Sequence, residues 1–209
     1  MNAYRTLSTP GEGEITEKRS RFLACAAPVA DEAAALDFLA QRRRTAHDAR
    51  HHVYAYSLRD GQLRRYSDDG EPQGTGGLPV LELLAHESLV DCVVVVTRWF
   101  GGTLLGTGGL VRAYSSAAKL AIAAGAPAWQ RPCAAFTLRC AYTQHSRIAA
   151  AAAGSTAVVE HTAYAEDVTL SGYIAAPAFD ALVHAITEES AGTVTVTRGD
   201  TVYKAAEPG

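Results

Sequence analysis

Glycine is concentrated in one part of this chain, because residues 66–114 hold nine of its 18 glycines. In order, this stretch contains an acidic turn at residues 67–72, a first glycine cluster, a β-branched apolar run at residues 93–96, and a second glycine cluster. Glycine loses more backbone entropy on folding than any other residue, so a segment rich in it uses positive φ angles or brings its backbone close to another group. We therefore expect tight loops around a buried element.

The second glycine cluster lies between a predicted strand and a predicted helix. Residues 93–96 suit a strand buried on both faces, and apolar residues recur at helical spacing from Gly106 to Ile122. Such a loop directs amide N–H groups and the positive end of a helix towards one place, which favours anions. The candidate residues for binding an anion or RNA are Arg98, Gly101, Gly102, Gly106, Thr107, Gly108, Gly109, Arg112, Lys18 and Arg21.

Two nucleotide-binding motifs can be tested against this loop, and both are incomplete. Gly101 and Gly106 have the separation found in a P-loop, but Thr107 stands where that motif needs its lysine. Neither GGTLLG nor GTGGLV supplies the G-x-G-x-x-G of a dinucleotide-binding loop. Two interpretations stay open: a closely packed strand-to-helix connection, and a general site for an anion or an RNA backbone.

Five segments of the chain together resemble the IMPACT/YigZ family. They read KRSRF, DARHHVYAY, SDDGEPQGTGGLPVL, VVVTRWFGG and LGTGGLVRAY, and they span most of residues 17–115. One departure is visible at residues 74–77, where GTGG stands in place of the more usual GTAG of the family. This change removes no chemical group from the segment.

The resemblance implies an α+β protein of two domains. Residues 1–128 would form an α/β sandwich with the fold of the second domain of a small-subunit ribosomal protein. Residues 132–209 would form a ferredoxin-like domain similar to the last domain of elongation factor G. The sequence itself predicts the order βαββαβ for residues 133–203, and glycine and proline at residues 125–132 predict a linker between the domains.

Composition and charge limit the kinds of partner. The net charge of −3 is divided unevenly, since residues 1–131 carry 15 Lys and Arg against 14 Asp and Glu, whereas residues 132–209 carry 4 against 8. Electrostatic docking to phosphate would therefore involve the first part of the chain. The sequence shows no signal peptide and no apolar run long enough to span a bilayer, so we expect a cytoplasmic protein without a membrane partner. The four cysteines form no CxxC motif and predict reduced core residues.

The acidic turn is the best candidate for metal or acid–base chemistry. We expect Asp68, Asp69, Glu71 and His52 to line the same surface as the glycine loop, because the strand that contains His52 should pair with the strand leading into the turn. Adjacent histidines on a strand point to opposite faces, so only one of His51 and His52 can join the acids. The same acids also suit a turn that accepts local N–H bonds. We predict no metal, no cofactor and no catalytic residue.

Arg98 follows four valines and precedes the glycine loop. It could contact a ligand, or it could join the acidic turn to the loop by a salt bridge with Asp68, Asp69 or Glu71. Both roles place Arg98 beside the predicted site.

Three functions remain open from the sequence. The resemblance implies a non-enzymatic regulator of translation that binds the ribosome, RNA or a ribosome-associated protein, without DNA specificity. The alternatives are an enzyme acting on a phosphorylated or nucleotide substrate at the same loops, and a sensor that binds such a ligand without turnover.

Overall fold

The computed structural model describes residues 2–205 and divides the chain into two compact units. The N-terminal unit extends from Tyr4 to Trp129, and the C-terminal unit begins at Gln130. Within residues 2–205, every helix is too short or too polar to cross a bilayer.

The N-terminal unit is built on one antiparallel sheet with the strand order β2-β3-β6-β4-β5. Helices α2 and α3 cover one face of this sheet and α1 covers the other. The elements are β1 (Tyr4–Leu7), β2 (Gly11–Glu17), β3 (Ser20–Pro28), α1 (Glu32–Thr45), β4 (His51–Ser57), β5 (Arg64–Ser67), α2 (Gly77–His86), β6 (Cys92–Trp99) and α3 (Thr107–Ala124).

The central strand β6 is buried on both faces, as the valine run predicted. Val94 and Val96 pack into the core under α2 and α3, while Val93 and Val95 pack into the core under α1. Each of these four side chains is fully buried. Because side chains alternate along a strand, the same alternation assigns Arg98 to the face of α2 and α3.

The C-terminal unit has the predicted order βαββαβ. Its strands pair antiparallel in the order β8-β9-β7-β10. Phe136, Leu138, Leu182 and Ile186 belong to its core. The elements are β7 (Pro127–Cys140, of which residues 130–140 belong to this unit), α4 (His145–Gly154), β8 (Val158–Tyr164), β9 (Val168–Ala175), α5 (Phe179–Glu189) and β10 (Val196–Ala205). The mixed α+β class is therefore confirmed, while the two named folds stay predictions.

Residues 125–132 were predicted to form a linker, but most of them belong to strand β7. The predicted end of the preceding helix is confirmed. Helix α3 ends at Ala124 and is followed by Gly125, but β7 begins at Pro127 and continues through Pro132 to Cys140. Pro132 lies opposite Tyr203 of β10. A proline can begin a strand or occupy a position whose N–H is not needed in the ladder, so these two prolines do not interrupt β7. The domain boundaries at 128 and 132 stay a prediction.

Candidate functional site

A cavity of about 410 Å³ lies at the C-terminal end of β6, on the face that α2 and α3 cover. Its walls combine apolar side chains with a few charged or polar groups, which is the usual composition of a ligand pocket. The lining residues are Arg50, His51, Glu71, Pro72, Arg98, Phe100, Leu104, Leu105, Gly106, Thr107 and Leu110.

The strand register explains why distant residues meet at this cavity. His51 of β4 and Phe22 of β3 both lie opposite Arg98 of β6, one on each side. All three side chains therefore lie on the same face of the sheet. The loop after β6 and the start of α3 complete the wall, since Gly106 and Thr107 line the cavity as well.

Glu71 and Arg98 form a buried ion pair at the cavity. Oε1 of Glu71 lies 2.7 Å from Nη1 of Arg98 and also accepts a hydrogen bond of 2.7 Å from the hydroxyl of Tyr114. Burial, and then the hydrogen bond to Glu71, raises the pKa of Tyr114 well above its usual value, so this phenol stays protonated. The salt-bridge role considered for Arg98 is therefore the one found, with Glu71 as the partner.

The guanidinium of Arg98 is held on other sides too. Its Nη2 lies 3.4 Å from Oγ of Ser20, which also accepts a 3.1 Å hydrogen bond from the amide of Gly101. The rings of Phe22 and Phe100 lie 5.4 and 5.5 Å from the guanidinium carbon. Arg98 is thus fixed by the fold and is not a free cation.

Asp68 has a structural role within its own turn. Its carboxylate accepts hydrogen bonds from the amides of Gly74, Gly76 and Gly77 at 2.8 to 2.9 Å. These amides lead into α2, so Asp68 satisfies donors that the start of a helix leaves unpaired. Asp68 is not among the residues that line the cavity, and its oxygen atoms are occupied by the backbone.

Asp69 is also engaged away from the cavity. Its Oδ2 accepts a 2.7 Å hydrogen bond from the amide of His52, and its Oδ1 pairs with Arg43 at 2.8 Å. Asp69 has a φ of 44°, which the two contacts help to hold. Of the three acids in the turn, Glu71 is the one that lines the cavity.

The two adjacent histidines point to opposite faces, and the prediction chose the wrong one. His51 lines the cavity, with Nδ1 2.8 Å from the carbonyl oxygen of Asp69 and Nε2 4.0 Å from Oε1 of Glu71. His52 lies on the opposite face, where its Nδ1 is 3.2 Å from Oγ1 of Thr97. Burial lowers the pKa of His52, which favours the neutral ring.

The glycine loop has two different roles. At Gly101 a Cβ atom would lie 2.0 Å from the carbonyl carbon of Arg19, so this glycine allows close packing against the turn between β2 and β3. At Gly106 a φ of 71° begins α3, and no side chain caps that helix. Gly102, Gly108 and Gly109 belong to the same loop and first turn but do not line the cavity.

The predicted basic residues do not all lie on this surface. Arg21 is on the face of α1, where it pairs with Glu14 at 2.8 Å and lies 4.6 Å from the centre of the Trp99 ring. Alternation along β3 therefore directs Arg21 away from the cavity. Lys18 is in the turn between β2 and β3, with a φ of 44°. Arg112 is exposed beside Gly108 at the start of α3.

Several lining residues were missed from the sequence. Arg50, Leu104 and Leu105 also line the cavity but were not predicted from the sequence, and His51 stands where His52 was predicted. Arg50 directly precedes β4, so the DARHH segment contained a signal that could have found it. Which of His51 and His52 faces the cavity depends on the register of β4 against β6, because that register places His51 opposite Arg98. The sequence alone does not show this register.

Within residues 2–205, no group of three or more His, Cys, Asp or Glu side chains is placed to hold a metal ion. In the acidic turn this follows from the contacts above, because Asp68 and Asp69 bind backbone amides and Glu71 binds Arg98. The site therefore offers a neutralised charge pair, a histidine and a helix N-terminus beside apolar walls.

Two family models match the chain. The Impact N-terminal domain matches residues 18–122, and a domain of unknown function, DUF1949, matches residues 138–193. The first of these regions contains the whole cavity lining.

Similar proteins include bacterial and eukaryotic relatives. The chain is 39% identical to the IMPACT family member YigZ of Escherichia coli over 136 residues, which is 64% of this chain and 67% of that protein. It is 40% identical to YvyE of Bacillus subtilis over 115 residues, or 54% of this chain and 53% of that protein, and so spans about half of that relative's length. Protein IMPACT of Homo sapiens is 38% identical over 99 residues, covering 44% of this chain and 30% of that protein.

A solved structure is similar over nearly the whole chain. It is titled as the crystal structure of a hypothetical protein and is 30% identical, with a TM-score of 0.61, covering 96% of this chain and 98% of that chain. The similarity therefore includes both units.

Proposed function

Because the chain belongs to the IMPACT family, we propose that it is a non-enzymatic, cytoplasmic regulator linked to translation that binds RNA of the ribosome. The binding surface is the rim of the cavity, formed by the first turn of α3 and by Arg50. The ligand atoms are phosphate oxygens, which a helix N-terminus and an arginine both favour.

One observation carries this proposal: the N-terminus of α3 is open. No side chain caps the helix, and within residues 2–205 no backbone oxygen accepts a hydrogen bond from the amides of Thr107, Gly108 or Gly109. Arg50 lines the same cavity, is exposed and makes no ion pair with another described residue. Three unpaired donors and an unpaired cation together suit an anion, and the resemblance to translation-linked proteins suggests that the anion belongs to RNA.

The structure changes which cations are expected to matter. Arg98 is neutralised by Glu71, and Arg21 is on the opposite face of the sheet. Arg50 lines the cavity and Arg112 lies beside Gly108 of α3; both are exposed, and neither forms a salt bridge within the described chain.

A salt titration of binding to ribosomes, with and without RNase treatment, tests the proposal. Phosphate contacts predict a steep fall in affinity with salt, and Arg50→Ala or Arg112→Ala should reduce the slope of log K against log salt by about one. Arg64→Ala, at an exposed arginine of β5 outside the cavity, is the matched control. Salt-insensitive binding, or capture that survives RNase, would contradict RNA as the partner.

The enzyme alternative has one specific observation in its favour. The carbonyl oxygen of Asp69 can only accept a hydrogen bond, so Nδ1 of His51 carries the proton and, in the neutral ring, Nε2 is a free base beside Glu71. Turnover of a phosphorylated substrate that is lost in His51→Ala, with RNA binding unchanged, would favour this alternative.

A further inference from the structure

We propose that the cavity at the end of β6 is a guanine pocket, which holds the base of one guanosine 5′-phosphate unit while its phosphate lies at the first turn of α3. This inference rests on the proposed function, because it names the part of an RNA that enters the surface.

The cavity changes character with depth. At its inner end the side chains of Glu71 and Arg98 are only 4% and 6% exposed to solvent. At its outer end Phe100 and Leu104 are 46% and 82% exposed. Leu105 and Leu110 add further apolar lining. A ligand that fills about 410 Å³ of this shape needs a polar inner edge and an apolar body, and the volume is within the usual range of about 300–1,000 Å³ for small-molecule sites.

The inner end of the cavity presents hydrogen-bond acceptors. Oε1 of Glu71 already accepts from Arg98 and Tyr114, but no described residue donates to Oε2, and Oε2 is not sealed from solvent. Nδ1 of His51 donates to the carbonyl of Asp69, so in the neutral ring Nε2 is a second acceptor. No described protein group donates to either atom, so the two together favour a ligand edge with two neighbouring N–H groups.

Guanine is the RNA base that offers this pattern. Its N1–H and its exocyclic amino group are adjacent donors on the Watson–Crick edge. Adenine and cytosine place a ring acceptor next to their amino group, and uracil places a carbonyl on each side of its single N–H. In adenine, cytosine and uracil those acceptor atoms would face the acceptor atoms of Glu71 and His51 and be repelled by them. The pocket therefore discriminates against these three bases.

The outer end of the cavity suits the rest of the nucleotide. The base plane can contact the half-exposed ring of Phe100, as bases of single-stranded RNA contact aromatic side chains. Gly106 and Thr107 line the cavity at the open N-terminus of α3, and Arg50 is a further lining residue. A phosphate attached to the sugar there meets backbone donors and a cation, while the neutralised Glu71–Arg98 pair adds no net negative charge.

Calorimetric titration of the whole chain with free nucleotides tests base selection. We expect GMP to bind at least about tenfold more tightly than AMP or UMP, with IMP between them because it keeps N1–H and lacks the amino group. His51→Ala should remove most of this preference, and His47→Ala, at an exposed histidine outside the cavity, should leave it unchanged. Phe100→Ala should weaken all four nucleotides together, which provides a second readout if His51→Ala fails to fold. Equal binding of GMP and AMP would overturn the inference.

Short RNAs separate this inference from the proposed function. The oligonucleotides UUGUU and UUAUU are compared, with GMP as a competitor. Preference for UUGUU that GMP removes supports both proposals. Binding of GMP without binding of either RNA supports the pocket and contradicts the RNA function. Equal binding of both RNAs that GMP does not affect supports the RNA function and overturns the pocket, and no binding of any probe overturns both.

Discussion

Glu71 and Arg98 form an ion pair of 2.7 Å in which both side chains are buried. The pair connects the acidic turn to the end of β6, and Tyr114 of α3 joins it through Glu71. Three segments of the glycine-rich stretch are therefore held together by one carboxylate, which positions the cavity wall.

Replacing Arg98 by alanine should destabilise the N-terminal unit. The change leaves Glu71 as a buried charge without its cation, which typically costs about 3–5 kcal/mol. Urea unfolding would measure the loss, and Arg112→Ala, at an exposed arginine of α3, should change the free energy of unfolding by less than about 0.5 kcal/mol. A loss below about 1 kcal/mol for Arg98→Ala would show that the pair is not important for stability.

Tyr114→Phe should change how stability depends on pH. Burial in the folded state raises the pKa of Tyr114 above the usual value of about 10 for a tyrosine. The contribution of Tyr114 to the free energy of unfolding is therefore complete below about pH 10 and is lost as the pH rises further. The reason is that the unfolded chain then releases the phenol proton, whereas the folded chain keeps it. The variant should lose about 1 kcal/mol at pH 7 from the missing hydrogen bond and show a shallower decline above pH 10. Tyr66→Phe, at an exposed tyrosine, is the control, and identical slopes would refute the assignment.

Asp68→Ala should weaken the start of α2. Three amides lose their acceptor together, so we expect a loss of about 2 kcal/mol or more in the free energy of unfolding. Thermal unfolding would measure it, with Asp60→Ala, at an exposed aspartate, as the comparison. Equal effects of the two substitutions would contradict a capping role for Asp68.

Gly76→Ala should destabilise this chain even though alanine is the residue more usual in the family. A Cβ at Gly76 would lie 2.8 Å from Cγ2 of Val53, whose side chain is fully buried. We expect a cost of about 1–3 kcal/mol from overpacking. In a double-mutant cycle, Val53→Ala should relieve part of that cost, and strict additivity of the two changes would rule out the contact as its cause.

The sequence by itself determined most of the elements. The valine run predicted a strand buried on both faces, and the periodic apolar residues after Gly106 predicted α3. The alternating patterns beyond Pro132 predicted the order βαββαβ. These predictions succeed because strand and helix periodicities are local properties, which a few neighbouring residues express without knowledge of their partners.

The tertiary structure decided which side chains form the site. Arg21, His51 and His52 each stand on a strand whose two faces lead to different cores, so a shift of one residue in register would exchange their surroundings. Asp68, Asp69 and Glu71 are neighbours in sequence, yet one caps α2, one pairs with Arg43 and one pairs with Arg98. Their roles depend on groups brought together by pairing and packing across the sheet, and the chemistry of the acidic turn was therefore fixed only when the chain folded.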